Sequence, residues 1–390
     1  MDIKGKIRIG FDAKRAAQNG TGLGNYSRFV IDSLIDRYPN NDYLLYIPNS
    51  KKSPHLNEIT NADKAEKHCP HTPFTRLCSA LWRIWHITDD IEHENLDIFH
   101  GLSNELPLNI AKSKCLKIVT IHDLIFKHCK QYYHQIDRWI YDQKFYRACR
   151  NADVVVAVSE FTKQEIIHYY GIAPEKIKVV YQGCNESFRQ PADKTLMEEA
   201  RRKYSLPDNF VLYVGSIEER KNLMLIAKAL NSMVAKDAKV VVVGKKTPYT
   251  DKVKQYLKDH DLESRVLFLH NVTYNYLPSF YHMARVFVYP SRIEGFGIPM
   301  LEALCCGVPA IGCKGSCLEE AGGPHSIYVD PDDYKGMANA IDMIWTDEKK
   351  RREMINRGHE YEQLFTRELL TDKLMDVYKD ALKTKQEMFY

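Results

Sequence analysis

Short apolar runs alternate with longer amphipathic segments along the whole chain, and many of the runs are uniformly apolar. Uniform runs of this length are typical of strands buried on both faces of a parallel sheet. The first series of predicted strands comprises residues 7–12, 43–48, 97–100, 117–121, 153–158 and 178–182. The second series comprises residues 210–214, 240–243, 266–269, 286–289, 308–312 and 327–329. This strand–helix alternation predicts doubly wound α/β domains.

Two domains are expected, because 390 residues exceed what one ordinary core encloses. The segment between the two strand series, residues 184–207, is polar and contains Pro191 and Pro207, so we predict the linker there. The first domain is then predicted at residues 1–190 and the second at residues 205–364.

Composition excludes several classes of protein. The net charge of +4 lies within residues 1–190, which suits an anionic acceptor or membrane face but is too weak to indicate nucleic acid. The ten cysteines show no zinc-ligand spacing, so reduced thiols are expected. The polar start predicts no signal peptide, and no apolar run is long enough to span a membrane. We therefore expect a cytoplasmic protein.

Residues 291–309, SRIEGFGIPMLEALCCGVP, contain two glutamates eight positions apart, Glu294 and Glu302. Pro299 is suited to be the first residue of a helix, which predicts Glu294 in a strand-to-helix loop and Glu302 in the first helical turn. Such a loop offers backbone N–H groups and the positive end of a helix dipole to an anion. A carboxylate beside that anion can accept hydrogen bonds from a polyol. An anion next to a polyol describes a sugar nucleotide.

The same stretch, S-x-x-E-G-F-G-x-P-x-x-E-A-x-x-x-G-x-P, resembles the E-x7-E signature of retaining glycosyltransferases of family 4. The resemblance implies the GT-B fold, two Rossmann-like domains facing across a cleft, with the acceptor on the first domain and the nucleotide sugar on the second. It implies that the C-terminal helix, residues 365–390, packs back on the first domain. It also implies that Glu294 holds the sugar hydroxyls, that Glu302 holds the ribose and that Gly295, Phe296 and Gly297 approach the donor.

Two loops of the first domain fit the same family. Gly22 and Gly24 match its glycine-rich loop, which approaches the donor diphosphate and the acceptor. His122 and Asp123 end a predicted strand, where the histidine can donate a hydrogen bond to a ligand and the carboxylate can orient the ring. In the family this His-Asp step points at the transferred sugar.

In the second domain, the loop after residues 210–214 contains Gly215, Ser216, Arg220 and Lys221. Two adjacent cations can neutralise a leaving diphosphate, a task that a bound metal performs elsewhere, so no metal and no cofactor are predicted. Ser216 stands where the family usually has arginine. The loop is closer to a subgroup with the string E-P-R-K-N, and this similarity alone favours mannose from GDP-mannose.

The base of the nucleotide is expected against the backbone at Asn271 and Val272, which leaves guanine and uracil undistinguished. Asp330 and Asp332 follow an apolar run and could be the Asp-x-Asp metal motif of another glycosyltransferase fold. That motif belongs much earlier in such enzymes, and Pro331 makes an ordinary turn, so we predict no metal ligands.

The predicted activity is metal-independent transfer of a hexosyl unit, with retention, from a nucleotide sugar to a glycan or lipid-linked acceptor in polysaccharide or glycoconjugate synthesis. No side chain stands out as a covalent nucleophile, so attack on the same face, assisted by the leaving phosphate, is expected. Two alternatives stay open: a transferase that uses a UDP-sugar (glucosyl, galactosyl or N-acetylglucosaminyl), and a sugar-nucleotide epimerase of the same fold.

Residues 72–91 have apolar side chains at helical spacing: Phe74, Leu77, Cys78, Leu81, Trp82, Ile84 and Trp85. Basic residues are interleaved: Arg76, Arg83 and His86. Tryptophan with arginine on an amphipathic helix suits peripheral contact with the inner face of a membrane. The stripe could equally pack on the first sheet or on a dimer partner.

Overall fold

The computed structural model describes residues 5–72, residue 75 and residues 78–387. The chain forms two compact units. The first runs up to Gly183 and includes the C-terminal segment from Phe365, and the second is Cys184–Leu364. Each unit contains one sheet in which every paired strand is parallel.

The first sheet has the order β3-β2-β1-β4-β5-β6-β7. Its strands are β1 Arg8–Asp12, β2 Asp42–Tyr46, β3 Glu66–His68, β4 Ile98–Gly101, β5 Leu116–Ile121, β6 Val154–Ala157 and β7 Ile177–Val179. The α-helices of this unit are Lys14–Gln18, Gly22–Arg37, Ser79–Leu81, Ile87–His93, Ile125–His128, Gln135–Asn151, Glu160–Tyr170 and Arg367–Glu387, with a π-helical turn at Trp82–His86.

The second sheet has the order β10-β9-β8-β11-β12-β13. Its strands are β8 Phe210–Val214, β9 Lys239–Val243, β10 Val266–Leu269, β11 Val286–Tyr289, β12 Ala310–Cys313 and β13 Ile327–Val329. The α-helices of this unit are Lys194–Tyr204, Leu223–Ser232, Pro248–Asp259, Leu277–Met283, Ile298–Cys305, Leu318–Gly322, Tyr334–Thr346 and Glu348–Glu362.

Each of the twelve predicted strands is present, because buried parallel strands leave an uninterrupted apolar run in the sequence. No apolar pattern predicted β3, Glu66–His68, whose side chains are exposed or half-buried. This short strand lies at the edge of the sheet and pairs only with β2. An edge strand with little burial needs no apolar pattern.

The predicted linker was placed too far along the chain. The division falls between Gly183 and Cys184, so residues 184–190, assigned to the first domain, lie in the second unit. The rest of the predicted linker contains the helix Lys194–Tyr204. Its Tyr204 packs against Phe280 of the helix Leu277–Met283, with ring centroids 5.3 Å apart. Most residues of this helix are charged, and only one of its faces packs against the unit. Its composition is therefore similar to that of a linker, which explains the wrong prediction.

The C-terminal helix Arg367–Glu387 packs on the first unit. Its Tyr378 is fully buried, and the hydroxyl lies 2.6 Å from His100 Nδ1 at the end of β4. Nearer the start of the helix, Asp372 pairs with Arg37 at 2.7 Å.

The direction of chain progression reverses once in each sheet, between β1 and β4 in the first and between β8 and β11 in the second. In open parallel sheets, ligands bind outside the carboxyl ends of the strands at such a switch point. A ligand site of the second unit is therefore expected at the loops after β8 and β11. The loops after β1 and β4 are their counterparts in the first.

Candidate active site

Glu294 lies in the loop after β11, where one of its oxygens accepts several hydrogen bonds. Tyr289 Oη and Ser291 Oγ donate to Oε1 over 2.9 and 2.8 Å. Arg220 Nη1 lies 2.8 Å from the same oxygen. The other oxygen, Oε2, has no hydrogen bond to any residue that the structure describes. The carboxylate is therefore rigidly held and keeps one acceptor for a ligand.

The electrostatic surroundings keep Glu294 ionised. Burial acts to raise the pKa of Glu294, yet the charges of Lys221 and Arg220 and the hydrogen bonds from Ser291 and Tyr289 outweigh it, so the pKa is lowered. An ionised carboxylate accepts stronger hydrogen bonds than a neutral group.

The two predicted cations differ in their contacts. Arg220 donates to the Ile293 carbonyl over 2.7 Å as well as facing Glu294, so much of its charge is already compensated. The ammonium of Lys221 makes no ion pair with any carboxylate in the described part of the chain. It lies 5.5 Å from the centroid of the Tyr289 ring. Of the two, Lys221 is the cation that an incoming anion can use.

Gly215 and Ser216 lie beside this lysine, after β8. Gly215 has a φ of +153°, and a Cβ there would lie 3.2 Å from Lys221 Nζ. The carbonyl of Ser216 accepts a hydrogen bond from Tyr213 Oη over 3.1 Å. The backbone at Gly215 therefore approaches the lysine more closely than a larger residue would comfortably permit.

The Gly-Phe-Gly turn leads into the helix Ile298–Cys305. Gly297 precedes the helix with a φ of +99°, and a Cβ there would lie 2.6 Å from Leu318 Cδ2, so glycine is required for both backbone and space. The neighbouring Phe296 is buried. Pro299 is the second helical residue, not the first as predicted.

Glu302 is consequently the fifth helical residue and lies in the second turn, so the prediction of a first-turn position was wrong. It is 8% exposed, and its Oε2 accepts a hydrogen bond from Tyr281 Oη over 2.8 Å. Burial raises the pKa of Glu302 to about 7. The two signature glutamates thus have opposite electrostatic surroundings.

Asn271 and Val272 follow β10, the outermost strand of the second sheet. Asn271 is exposed and Val272 half-buried. The preceding His270 is tied to the Gly244 carbonyl, 2.9 Å from Nδ1. None of the described contacts joins these two residues to the Glu294 cluster, and their place against the base stays a prediction.

In the first unit, His122 is buried with both ring nitrogens engaged. Nε2 lies 2.9 Å from the Leu102 carbonyl, and Nδ1 lies 2.9 Å from the Gln182 amide nitrogen. Burial lowers the pKa of His122 to about 4, so the ring is neutral, with Nε2 donating to Leu102. Donation to a ligand therefore requires the bond to Leu102 to open.

The sequence predicted that Asp123 orients the ring of His122. In the structure, Gln182 contacts this ring instead. Asp123 Oδ1 accepts a hydrogen bond from the Ile125 backbone N–H over 3.1 Å, which is an ordinary local turn. Gln182 is far from His122 in sequence, and no local motif indicates the contact.

The two glycines of the first-domain loop have different surroundings. A Cβ at Gly24 would lie 1.7 Å from the Asn19 carbonyl oxygen, so packing alone requires glycine there. A Cβ at Gly22, the first residue of its helix, would meet nothing within 4 Å. The approach of this loop to a donor stays a prediction.

The Asp-x-Asp alternative has little structural support. Asp332 pairs with Arg292, and Asp330 Oδ1 accepts a hydrogen bond from the Asp332 N–H over 2.9 Å. Within the described residues, the group with metal-ligand spacing is Glu66, His68 and Glu94. Neither aspartate belongs to it.

The described part of residues 72–91 places its apolar side chains in different surroundings. Trp82 is fully buried and donates to Asp90 Oδ2 over 2.7 Å, so packing against the sheet was the correct interpretation for this residue. Leu81 and Trp85 are exposed. Phe74, Arg76 and Leu77 lie outside the described residues. Among the helices described, none is long and apolar enough to cross a membrane.

Comparison with known proteins agrees with this arrangement. The family model described as Glycosyltransferase Family 4 matches residues 30–188, and the model described as Glycosyl transferases group 1 matches residues 197–361. The two matches together cover most of the chain, one in each unit.

Two relatives are named as mannosyltransferases. The chain is 28% identical to the O-antigen chain mannosyltransferase B of Escherichia coli over 311 residues, which are 78% of each protein. It is 32% identical over 234 residues to the O-antigen chain mannosyltransferase RfbU of Salmonella typhimurium, covering 58% of this chain and 60% of that one.

Among solved structures, the crystal structure of Anabaena HepE in complex with UDP and glucose is similar, with a TM-score of 0.74 and 18% identity. The match covers 95% of this chain and 99% of HepE. At this identity the likeness establishes the fold, and it confirms the predicted GT-B class.

Proposed function

The chain belongs to the family 4 glycosyltransferases, and on that premise we propose that it transfers a mannosyl unit from GDP-mannose, with retention, to a glycan in polysaccharide synthesis. The observation that carries the proposal is the cluster of Lys221 and Glu294 at the switch point of the second sheet. Among the described residues, Lys221 is a cation that makes no ion pair, and Glu294 is an ionised carboxylate with one oxygen that accepts no hydrogen bond. A diphosphate joined to a sugar needs this pair of groups.

In the proposed reaction, the ammonium of Lys221 faces the diphosphate as negative charge develops on the departing oxygen. Preorganised charge of this kind stabilises a transition state because nothing has to reorient. Glu294 Oε2 accepts hydrogen bonds from the sugar hydroxyls. Arg220 forms an ion pair with Glu294. Its positive charge, which Glu294 compensates only in part, also attracts the phosphate. The acceptor attacks the anomeric carbon on the face that the phosphate leaves, and the phosphate takes the acceptor's proton.

The choice of mannose is supported by the names of the two bacterial relatives and by the string Glu218-Glu219-Arg220-Lys221-Asn222. A UDP-hexose is the second candidate, because the base contacts at Asn271 and Val272 would come from backbone and leave no trace in the side chains. The epimerase hypothesis is not favoured, because the relatives named are transferases.

The proposed acceptor is a glycan, free or lipid-linked, held by the first unit. A cytoplasmic location and peripheral membrane contact through residues 72–91 stay predictions. Among the described residues of that segment, Leu81 and Trp85 are the exposed large apolar side chains. A contact with lipid would rest on them and not on Trp82.

A thermal-shift panel of GDP-mannose, UDP-glucose, UDP-galactose and UDP-N-acetylglucosamine tests the donor. A ligand at 100-fold its dissociation constant stabilises a protein by about 2.7 kcal/mol. We expect GDP-mannose to raise Tm most and GDP alone to raise it less, since only the sugar engages Glu294. Equal stabilisation by all four donors, or by none, would contradict the proposed donor.

A further inference from the structure

We propose that a cavity in the first unit binds one neutral sugar residue of the acceptor glycan, with Trp139 as its stacking surface. The inference rests on the proposed function and names where its acceptor is recognised. The cavity has a volume of about 210 Å³. That is smaller than the roughly 300–1,000 Å³ of pockets for drug-sized ligands, so it suits a single sugar ring.

The cavity lies at the switch point of the first sheet. Asp12 ends β1, and Glu105 lies in the loop that follows β4. Both line the cavity, and these two strands are neighbours whose connections leave in opposite directions. This is the position at which open parallel sheets bind ligands.

The floor of the cavity is a set of paired charges, of which Asp12 is buried and Arg83, Glu105 and Lys144 are half-buried. Arg83 lies between two carboxylates, with Nη2 2.6 Å from Asp12 Oδ2 and Nη1 2.7 Å from Glu105 Oε2. Lys144 Nζ lies 3.5 Å from the other Glu105 oxygen. Each of these four charges faces an opposite one, so the floor itself does not favour a charged ligand. Arg147 at the wall adds one cation that makes no ion pair with a described residue. A neutral polyol can still accept from Arg83 and Lys144 and donate to the carboxylates.

One wall of the cavity is a single face of the helix Gln135–Asn151. This face contributes Trp139, Ile140, Gln143, Lys144 and Arg147. The spacing repeats every three to four positions, so these side chains share one side of the helix. Trp139 is 65% exposed and Ile140 is 37% exposed, which is unusual for large apolar side chains on a helix that also contributes to the core.

The mixture of groups matches the two sides of a sugar ring. A pyranose has an apolar face of C–H groups and a rim of hydroxyls. Trp139 and Ile140 offer an apolar surface to the C–H face. Gln143 offers an amide to the hydroxyls, and this amide has no hydrogen bond to any described residue. A purely hydrophobic partner would leave the charged floor desolvated without compensation.

The test is isothermal titration of the full-length protein with three neutral saccharides: α-linked mannotriose, maltotriose and galactobiose. We expect one of them to bind the wild type. Trp139→Ala and Gln143→Ala should each weaken that binding about tenfold, which corresponds to roughly 1.4 kcal/mol. Trp139→Phe, which keeps an aromatic ring, should recover part of the affinity.

Ile136→Ala is the matched control. Ile136 lies on the same helix and is 73% exposed, yet it does not line the cavity. This variant should bind the saccharide as the wild type does. All variants should hydrolyse GDP-mannose, in the absence of an acceptor, at the wild-type rate, because the donor is assigned to the second unit.

Two outcomes would overturn the proposal: no saccharide binds the wild type, or Trp139→Ala and Ile136→Ala bind the saccharide with equal affinity. The proposal would also be contradicted if the wild type bound phosphatidylglycerol vesicles and if Trp139→Ala and Ile136→Ala both lost this binding. That would assign the exposed side chains to a lipid surface. Failure of the proposed donor is distinguishable, since it would abolish nucleotide-sugar hydrolysis in the wild type and leave saccharide binding unchanged.

Discussion

Replacing Glu302 with glutamine should make the protein more stable at alkaline pH. Burial raises the pKa of Glu302 from 4.5 to about 7, so the folded protein holds this proton more tightly than the unfolded chain does. Stability from this group is fully present below the unfolded pKa. It is lost as pH rises towards and through the folded pKa, because the unfolded chain ionises first.

The shift converts to roughly 3 kcal/mol, at about 1.36 kcal/mol for each pKa unit. Glutamine keeps an oxygen that can accept the hydrogen bond from Tyr281, which now lies 2.8 Å from Oε2, but it carries no charge to bury. For a unit of this size, about 1 kcal/mol moves Tm by roughly 2–4 °C. Glu302→Gln should therefore unfold several degrees above the wild type at pH 8 and close to it at pH 5.

The assay is thermal unfolding of both proteins from pH 5 to pH 8, followed by circular dichroism. Glu294→Gln is the matched control, because the pKa of Glu294 is lowered and its charge stabilises the fold. That variant should unfold below the wild type at pH 8. If the difference in Tm between Glu302→Gln and the wild type does not change with pH, the pKa of Glu302 is not raised by burial.

Three further predictions concern catalysis. Transfer should survive EDTA, since protein cations face the diphosphate, and turnover that is lost and then restored by Mg²⁺ or Mn²⁺ would contradict this. Lys221→Ala should lower kcat by about 10²–10³, or about 2.7–4 kcal/mol, with the fold intact by circular dichroism, whereas Lys228→Ala, an exposed lysine on the next helix, should match the wild type in steady-state assays. Glu294→Ala should lose transfer but still bind GDP in calorimetry, because its proposed partner is the sugar. Loss of GDP binding in that variant would show that the carboxylate has another role.

The sequence predicted the sheets and the position of the signature loop because both leave local patterns. Uniform apolar runs identified every strand except β3, and the Gly-Phe-Gly turn before Pro299 marked the start of the helix that carries Glu302. Local patterns do not reveal partners. The hydrogen bond from Tyr281 to Glu302 is one example, because it depends on how two helices pack.

The same limit applies to the charged groups of the site. Arg220 and Lys221 are adjacent in sequence and were assigned one shared role. The fold engages Arg220 with Glu294 and the Ile293 carbonyl, and it leaves the ammonium of Lys221 without an ion pair among the described residues. Gln182 could not be connected to His122 either, because the contact joins residues 60 positions apart. Charge pairing and burial are properties of the folded chain.

Proton NMR of a reaction containing GDP-mannose, α-linked mannotriose and the wild-type enzyme tests directly whether the protein is a retaining mannosyltransferase. We expect a new anomeric signal of an α-linked mannosyl residue and one equivalent of GDP. With Lys221→Ala the same signal should appear at least about a hundredfold more slowly. A β-linked product would contradict retention. A nucleotide sugar that changes configuration while the mannotriose stays unmodified would show that the protein is not a transferase of this kind.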